Sequence, residues 1–517
     1  MKKARLVNNL WKRNPRLFFI HSRSQNRTLQ GAGGARPLSI SLQETAGFSP
    51  RSFILVSIAC LNIFFASLAF ASAKPLKPTQ LSLPPVEEIT KNDRVLILAP
   101  HPDDEAIACA GIIQKALKAG ADLRVVFLTN GDHNQFAFIV YEKRLVFRKG
   151  EYLHMGKVRR EESIKAMQIL GLTADKLTFL GYPDFGTMAI FKNYWNVDRP
   201  FKSLLTRVSS VPYKEDFSFG KPYIGESILF DLEEVLRRYK PNKIFVSHPA
   251  DVNSDHRALS LFLQVALWDL KGQLSANLKV YSYLVHHKGW PLPRHFHPQL
   301  ALTPPADMQE ADIKWQALNL DSTELEKKHQ AILSYRSQTA SSAFYLLSFA
   351  RANELFGNFS NIALTDLSKS DQIIWSEHPD LLWEKVEEAG WAEEGGAPSG
   401  SQIDYAVKDK KLYIKLTLKK QPIVTDLLFF LFGYKDSVGF REMPKIRLKI
   451  MGETIRLSDK KVQLDNDGIY RNIDGKNIII GVPLKILNDP QYILTSVYAS
   501  SRGVSSEAAS WRVIELK

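Results

Sequence analysis

From Arg94 to Val285, short and continuously apolar runs alternate with longer segments of helical period. Val95-Leu96-Ile97-Leu98 reads as a buried strand, followed by a helix through about Lys118. Leu123 to Leu128 is a second strand, Val158 to Leu170 a helix closed by Gly171, and Leu177 to Leu180 a third strand. Ile228 to Tyr239 is a helix stopped by Pro241, and Lys243 to Ser247 a fourth strand. His256 to Leu270 is a further helix and Val280 to Val285 a fifth strand. Strands apolar throughout, rather than alternating, are buried on both faces, which requires a parallel sheet covered by helices. Right-handed crossovers then give a Rossmann-like three-layer α/β domain with a mostly parallel sheet, whose ligands sit beyond the carboxyl ends of the strands.

The rest of the chain is of different character. Residues 186–223 break the rhythm with aromatic and Pro-rich sequence, as a substrate-covering loop does. A helical stretch is predicted from Thr323, with Glu326 completing a capping box, running with breaks to Phe356. From Ile403 the period becomes two, with Leu412, Ile414, Leu416 and Leu418 on one face and Ile446, Leu448 and Ile450 on another. Seven to nine such strands predict a C-terminal all-β sandwich. Its Tyr405, Tyr413, Tyr434, Tyr470 and Trp511 are either core or a sugar-stacking platform. The expected organisation is therefore a basic region 1–51, an apolar segment 52–73, a Pro-rich tether 74–91, the α/β domain 92–365, a linker 366–401 and the sandwich 402–517.

The net charge of +14 resembles a nucleic-acid signature, but ten Lys/Arg against one acid in residues 1–73 supply nine of those charges. They flank Phe53 to Phe70, a run without charge that ends in Ala71-Ser72-Ala73. A basic flank, an apolar run and small closing residues form a secretory signal peptide, and the run is also long enough to remain as a membrane anchor. Either way residues 74–517 are expected outside the cytoplasm, since the positive flank stays inside. Membrane contact is through residues 52–73 if they are uncleaved, and no nucleic-acid partner is expected. Only two cysteines, Cys60 and Cys109, exclude a disulfide scaffold and a four-cysteine zinc site.

Directly after the first strand stands His101-Pro102-Asp103-Asp104-Glu105, and directly after the fourth stands the segment from His248 through Asp251, Asn253 and His256 to Arg257. Both lie at carboxyl ends of parallel strands and can converge across some 150 residues. His101 and Asp104 can offer a nitrogen and an oxygen on one side, and His256 a second nitrogen. Two histidines and a carboxylate with open positions make the ligand set of a catalytic zinc site. Asp103, beside a ligand, can point elsewhere and take a proton from water.

These segments resemble the LmbE/PIG-L family of zinc-dependent de-N-acetylases, over about residues 92–360. Thr129-Asn130-Gly131-Asp132 and Arg159-x-x-Glu162 add to the resemblance. It implies His101, Asp104 and His256 as ligands of Zn2+ (Fe2+ could occupy the same set), Asp103 as general base, and Arg159 and Asp184 as substrate-binding residues. The implied substrate is an amino-sugar glycan or glycolipid carrying N-acetylglucosamine. An exposed helix arginine paired with Glu162 is the plain alternative for Arg159. Many family members carry a histidine three residues before the last ligand, where this chain has Asn253. Asparagine can donate a hydrogen bond to an oxyanion but cannot carry a proton, so the acid is either Asp103 itself or one of His248, His133, His286 and His287. Two other functions compete: a non-catalytic glycan-binding or scaffolding protein with a degenerate site, and an amidase acting on another N-acyl conjugate.

Overall fold

The computed structural model describes residues 83–517 apart from 144–147, 310–311, 367–371, 377–379, 385–397, 419–424, 461 and 502–503. The basic region, the apolar segment 52–73 and the start of the tether lie outside these residues. Among the described residues no helix is long and apolar enough to cross a membrane.

The five apolar runs are the parallel strands β1 (Arg94–Ala99), β2 (Asp122–Thr129), β3 (Leu177–Tyr182), β4 (Lys243–Ser247) and β5 (Lys279–Tyr283). Two strands absent from the sequence reading, β6 (Ile313–Asn319) and β7 (Asn353–Phe359), extend the sheet antiparallel beyond β5. The order is β3-β2-β1-β4-β5-β7-β6. Chain direction across the sheet reverses between β1 and β4, and in open α/β sheets that switch point opens the ligand crevice.

Successive residues of each strand feed opposite cores, as the two-residue period demands. Val95 and Ile97 pack with Ile112 and Ile113 of α1 (Asp104–Ala119) on one face. Leu96 and Leu98 pack on the other face against the second helical layer. The intervening helices are α2 (Gln135–Glu142), α3 (Lys149–Leu170), α4 (Thr187–Asn193), α5 (Gly225–Tyr239), α6 (Ser254–Asp269), α7 (Ser322–Leu333) and α8 (Arg336–Leu346). Gly171 ends α3 in the left-handed conformation at φ 97°, where its N–H returns to Gln168 O at 3.0 Å.

Three local expectations are corrected. Helix α3 begins at Lys149 rather than Val158, so Arg159 lies mid-helix instead of near its start. The capping box of α7 is Asp321 with Glu324, not Thr323 with Glu326: Asp321 Oδ1 accepts from the Thr323 and Glu324 N–H groups at 2.9 and 2.8 Å, and Glu324 Oε2 accepts from Asp321 N at 2.9 Å. The helical stretch gives way before Phe356, which is buried in β7.

The C-terminal part is one sheet of 13 strands, antiparallel except for the pairing of 362–364 with 512–516. It holds more strands than the seven to nine expected, in part because Asp380–Glu384, inside the stretch read as a linker, pairs with both Pro398–Lys408 and Val504–Ala509. Inward residues of both halves (Ile403, Leu412, Ile414 and Ile480 with Phe429, Leu448 and Val497) share one core. Tyr405, Tyr434 and Trp511 are buried, whereas Tyr470 is exposed with its ring edge-on to Tyr413. A second contact surface joins this sheet to α4 and α6, where Phe191, Trp195 and Phe262 meet Phe432, Phe440 and Trp511.

A buried ion pair ties α7 to β7 beneath α1. Lys328 Nζ donates to Glu354 Oε1 at 2.8 Å, and Gly111 N donates to the same oxygen at 2.8 Å. Lys328→Met leaves Glu354 charged and without its cation; urea unfolding is expected to show a loss of about 3–5 kcal/mol.

Candidate active site

The carboxyl ends of β1 and β4 flank the crevice, and each passes into a helix within a few residues. After β1 the chain turns through His101 and Pro102 to Asp103, which caps α1 at φ 115°. Asp104 opens the helix and its Oδ2 accepts from the His101 N–H at 2.9 Å, folding the motif back on itself. After β4 the chain runs to Asn253, whose side-chain oxygen accepts from Asp255 N at 2.8 Å and caps α6. This puts His256 in the first turn of α6.

Asp104 Oδ2 lies 3.3 Å from His101 Nδ1 and 3.2 Å from His256 Nε2. The ligand atoms of these three buried residues all fall within 4.8 Å of one another. The second nitrogen of each histidine faces another carboxylate. His256 Nδ1 is 3.2 Å from Asp251 Oδ2, and His101 Nε2 is 3.3 Å from Asp184 Oδ1 and 3.5 Å from Asp255 Oδ2. Each outer carboxylate is itself anchored: Asp251 accepts from Val285 and His286 N–H at 3.0 and 2.9 Å, Asp255 from Thr187 N at 3.1 Å, and Asp184 from His133 N at 3.1 Å. Imidazoles with one nitrogen inward and the other fixed by a carboxylate have their ring orientation and tautomer set before any ligand arrives.

The electrostatics follow from burying this many carboxylates together. Burial works against charge on Asp104, yet His256 and His101 hold its carboxyl well below the usual range. Burial likewise opposes protonation of His256, but Asp104 and Asp251 raise it to about 10. Asp251, against the push of burial, is lowered to about 2 by His256 and His286. Asp103 behaves differently: burial raises its carboxyl to about 7, with Arg159 pulling the other way.

The fit to a divalent cation rests on the donor set. His256 Nδ1, His256 Nε2 and Asp184 Oδ1 are buried and make only ion-pair contacts, with no well-aligned hydrogen bond. Asp103, Asp104, Asp184, Asp251 and Asp255 are all buried around two histidines, an excess of negative charge that a cation would balance. His101 Nδ1, Asp104 Oδ2 and His256 Nε2 are the inward-facing donors, so the residues present fit such an ion.

The remaining candidates sort as follows. Arg159 is buried, not exposed, and is not paired with Glu162, which instead accepts from Ser337. Its guanidinium donates to Gly131 O at 3.0 Å and Pro102 O at 2.7 Å and lies 3.4 Å from Asp103 Oδ2. Asp184, expected at the substrate, is buried against His101. Of the four histidines weighed as an acid, His248 is stacked between Trp315 and Phe359 and pushed down to about 3 by burial. His287 is held by Asp307 at 3.0 Å. His286 packs edge-on to His256 at 4.7 Å and stacks on Tyr345 at 6.0 Å. Asp251, Asp255, Thr187 and Phe185 belong to the site but were not singled out from sequence. Phe185 is 42% exposed at φ 54°, with its ring 5.1 Å from His133. All four had a readable signal in their nearness along the chain to His256 or Asp184.

Residues 96–267 match the model of the PIG-L family, described as GlcNAc-PI de-N-acetylase. The chain is 24% identical over 269 residues to a protein of Bacteroides thetaiotaomicron named as glucosamine-6-phosphate deaminase-like. That match takes in 48% of this chain and 36% of the relative, so the chain spans about a third of that protein's length. Among solved structures it is similar to an N,N'-diacetylchitobiose deacetylase from Pyrococcus horikoshii (19% identity, 48% of this chain and 72% of that one, TM-score 0.30). It is similar also to a deacetylase of teicoplanin biosynthesis (14%, 51% and 97%, TM-score 0.32) and to a 4-carboxy-2-hydroxymuconate hydratase from Pseudomonas putida (18%, 52% and 97%, TM-score 0.30).

Removing an inward donor and removing an outer carboxylate should differ in degree. In Co2+ titrations followed by visible absorption, His256→Ala is expected to abolish stoichiometric binding. Asp251→Asn, which only frees the far side of the ring, is expected to weaken it by about 10–100-fold.

Proposed function

We propose that the PIG-L domain carried at residues 96–267, completed by the elements that follow it to residue 365, is a divalent-metal-dependent hydrolase. It removes the acetyl group from an N-acetylglucosamine-type glycan or glycolipid outside the cytoplasm. The observation that carries this reading is the meeting of His101 Nδ1, Asp104 Oδ2 and His256 Nε2 at the switch point of the sheet, with Asp103 beside them. The extracytoplasmic location rests on the basic flank and apolar run of residues 1–73.

His101, Asp104 and His256 would hold the metal, Zn2+ or Fe2+, which when bound polarises the amide carbonyl and acidifies water. Asp103 is the base: its carboxyl, tethered by Arg159, takes the proton of the attacking water. Arg159 also grips the Pro102 carbonyl, so the peptide bearing Asp103 is fixed while its side chain works. Asn253 has its side-chain oxygen committed to the cap of α6, so any part it takes at the oxyanion is as a donor through its NH2. His286, whose ring packs against that of His256, is the group assigned to supply the proton that the departing nitrogen needs. The C–N bond breaks, and amide plus water gives acetate and the free amino sugar.

Acetate release from a panel of N-acetylglucosaminyl glycans, measured together with metal content, tests this reading. Asp103→Asn is expected to keep about one metal per chain and lose roughly 10²–10⁴-fold in rate, the range for a general base. A wild-type protein that takes up no metal on loading would contradict it. His286→Gln is expected to lower kcat by about 10²-fold with KM little changed, since proton donation is needed only as the amine leaves. A KM effect alone would remove His286 from the chemistry and return both proton transfers to Asp103.

A further inference from the structure

Helix α4 is seven residues long and touches the catalytic cluster at one end and the C-terminal sheet at the other. At its start, Thr187 donates through both its N–H and its hydroxyl to Asp255, and the N–H of Phe185 donates to the same carboxylate. Asp255 in turn faces His101 Nε2, as does Asp184 one residue before Phe185. Residues 184–187 are thus the wall that orients the first histidine. At the end of α4, Phe191 is fully buried, with its ring 5.9 Å from Phe432, 5.7 Å from Phe440 and 6.0 Å from Trp511, all in the C-terminal part of the chain. Lys192 Nζ lies 4.9 Å from the Phe430 ring and 5.1 Å from the Tyr498 ring. Arg447, on the strand Lys445–Met451, donates to the carbonyl of Lys192 and to the side-chain oxygen of Asn193.

A seven-residue helix has almost no stability of its own, because nucleation costs more than its few hydrogen bonds return. Its place is fixed by what holds its ends. Arg447 caps the carbonyl end with a fixed cation, the favourable sign for a helix C-terminus. The ring of Phe262, on the helix that carries Asp255 and His256, packs 5.0 Å from Phe191, so both walls of the centre lean on the same aromatic cluster.

We infer that the C-terminal sheet is part of the scaffold of the centre rather than a separate attachment, and that Arg447 is a positioning residue. By holding the end of α4 it sets Asp184, Phe185 and Thr187 against His101 and Asp255. Its effect on catalysis rests on the deacetylase reading above; the mechanical coupling does not.

The test compares full-length wild type with Arg447→Met, Arg447→Lys and Ile414→Ala. Ile414 is buried in the core of the C-terminal sheet, remote from α4 in that core's membership, and reports simple loss of stability. Hydrogen exchange of the Phe185 and Thr187 amides under native conditions is read for each, with kcat, KM and Co2+ affinity. Arg447→Met is expected to speed exchange at both amides by about tenfold and to lower kcat and Co2+ affinity by roughly 10-fold, the size of an outer-shell effect, with KM within twofold. Arg447→Lys, which can still donate to the helix end, is expected to recover most of each. Ile414→Ala is expected to lower the melting temperature while leaving these amides and kcat as in wild type. Unchanged exchange in Arg447→Met, or an equal change in Ile414→Ala, would overturn the inference. A wild-type protein releasing no acetate would sink the deacetylase reading, while the coupling would still stand or fall on the two amides.

Discussion

One carboxylate oxygen, Asp104 Oδ2, lies between two histidine nitrogens that come from opposite sides of the switch point of the sheet. Everything around the centre follows from making that arrangement possible. The order β3-β2-β1-β4-β5 brings the ends of β1 and β4 side by side, and each strand passes into a helix, with His101 in the turn before α1 and Asp104 and His256 in the first turns of α1 and α6. The attraction between Asp104 and the two imidazoles works against the cost of burial, and the outer atoms of both rings are fixed as well. Asp251, Asp184 and Asp255 do this, and backbone N–H groups from three further segments hold those carboxylates in turn.

This layering explains how a small change far from the crevice can reach it. The outermost layer includes the start of α4, whose other end is gripped by the C-terminal sheet. The aromatic cluster of Phe191, Phe262, Phe432 and Trp511 therefore does more than bury apolar area. It connects the C-terminal sheet to the two helices that flank the centre. Of the aromatics read as either core or a sugar-stacking platform, Tyr405, Tyr434 and Trp511 are core, while Tyr413 and Tyr470 pair at the surface.

Much of the frame was legible in the sequence. Fully apolar runs can only be strands covered on both faces, so the parallel sheet and its carboxyl ends could be located, and with them His101, Asp104 and His256. What failed to show was set by direction rather than by pattern. That Asp184 faces His101 and Arg159 faces Asp103 could not be read, because side chains in short loops and at mid-helix turn according to packing that no period encodes. Arg159 faces inward, where the carbonyls of Gly131 and Pro102 hold its guanidinium. Strands β6 and β7 were hidden because each lies at a sheet edge or near it, where Lys314 and Glu354 interrupt the apolar run. The four histidines at strand ends were equivalent in sequence; only the fold separates His286, beside the centre, from His248, which is packed behind it.

The central claim is that two imidazoles and a carboxylate from β1 and β4 share one cation. X-ray absorption fine structure at the metal edge of the Zn2+-loaded chain tests it most directly. The account requires, in wild type, a first shell of nitrogen and oxygen with low coordination number, together with the outer-shell scattering of two imidazole rings, and the loss of that signal with stoichiometric metal in His256→Ala. A shell of oxygen alone, or one unchanged by that substitution, would contradict it.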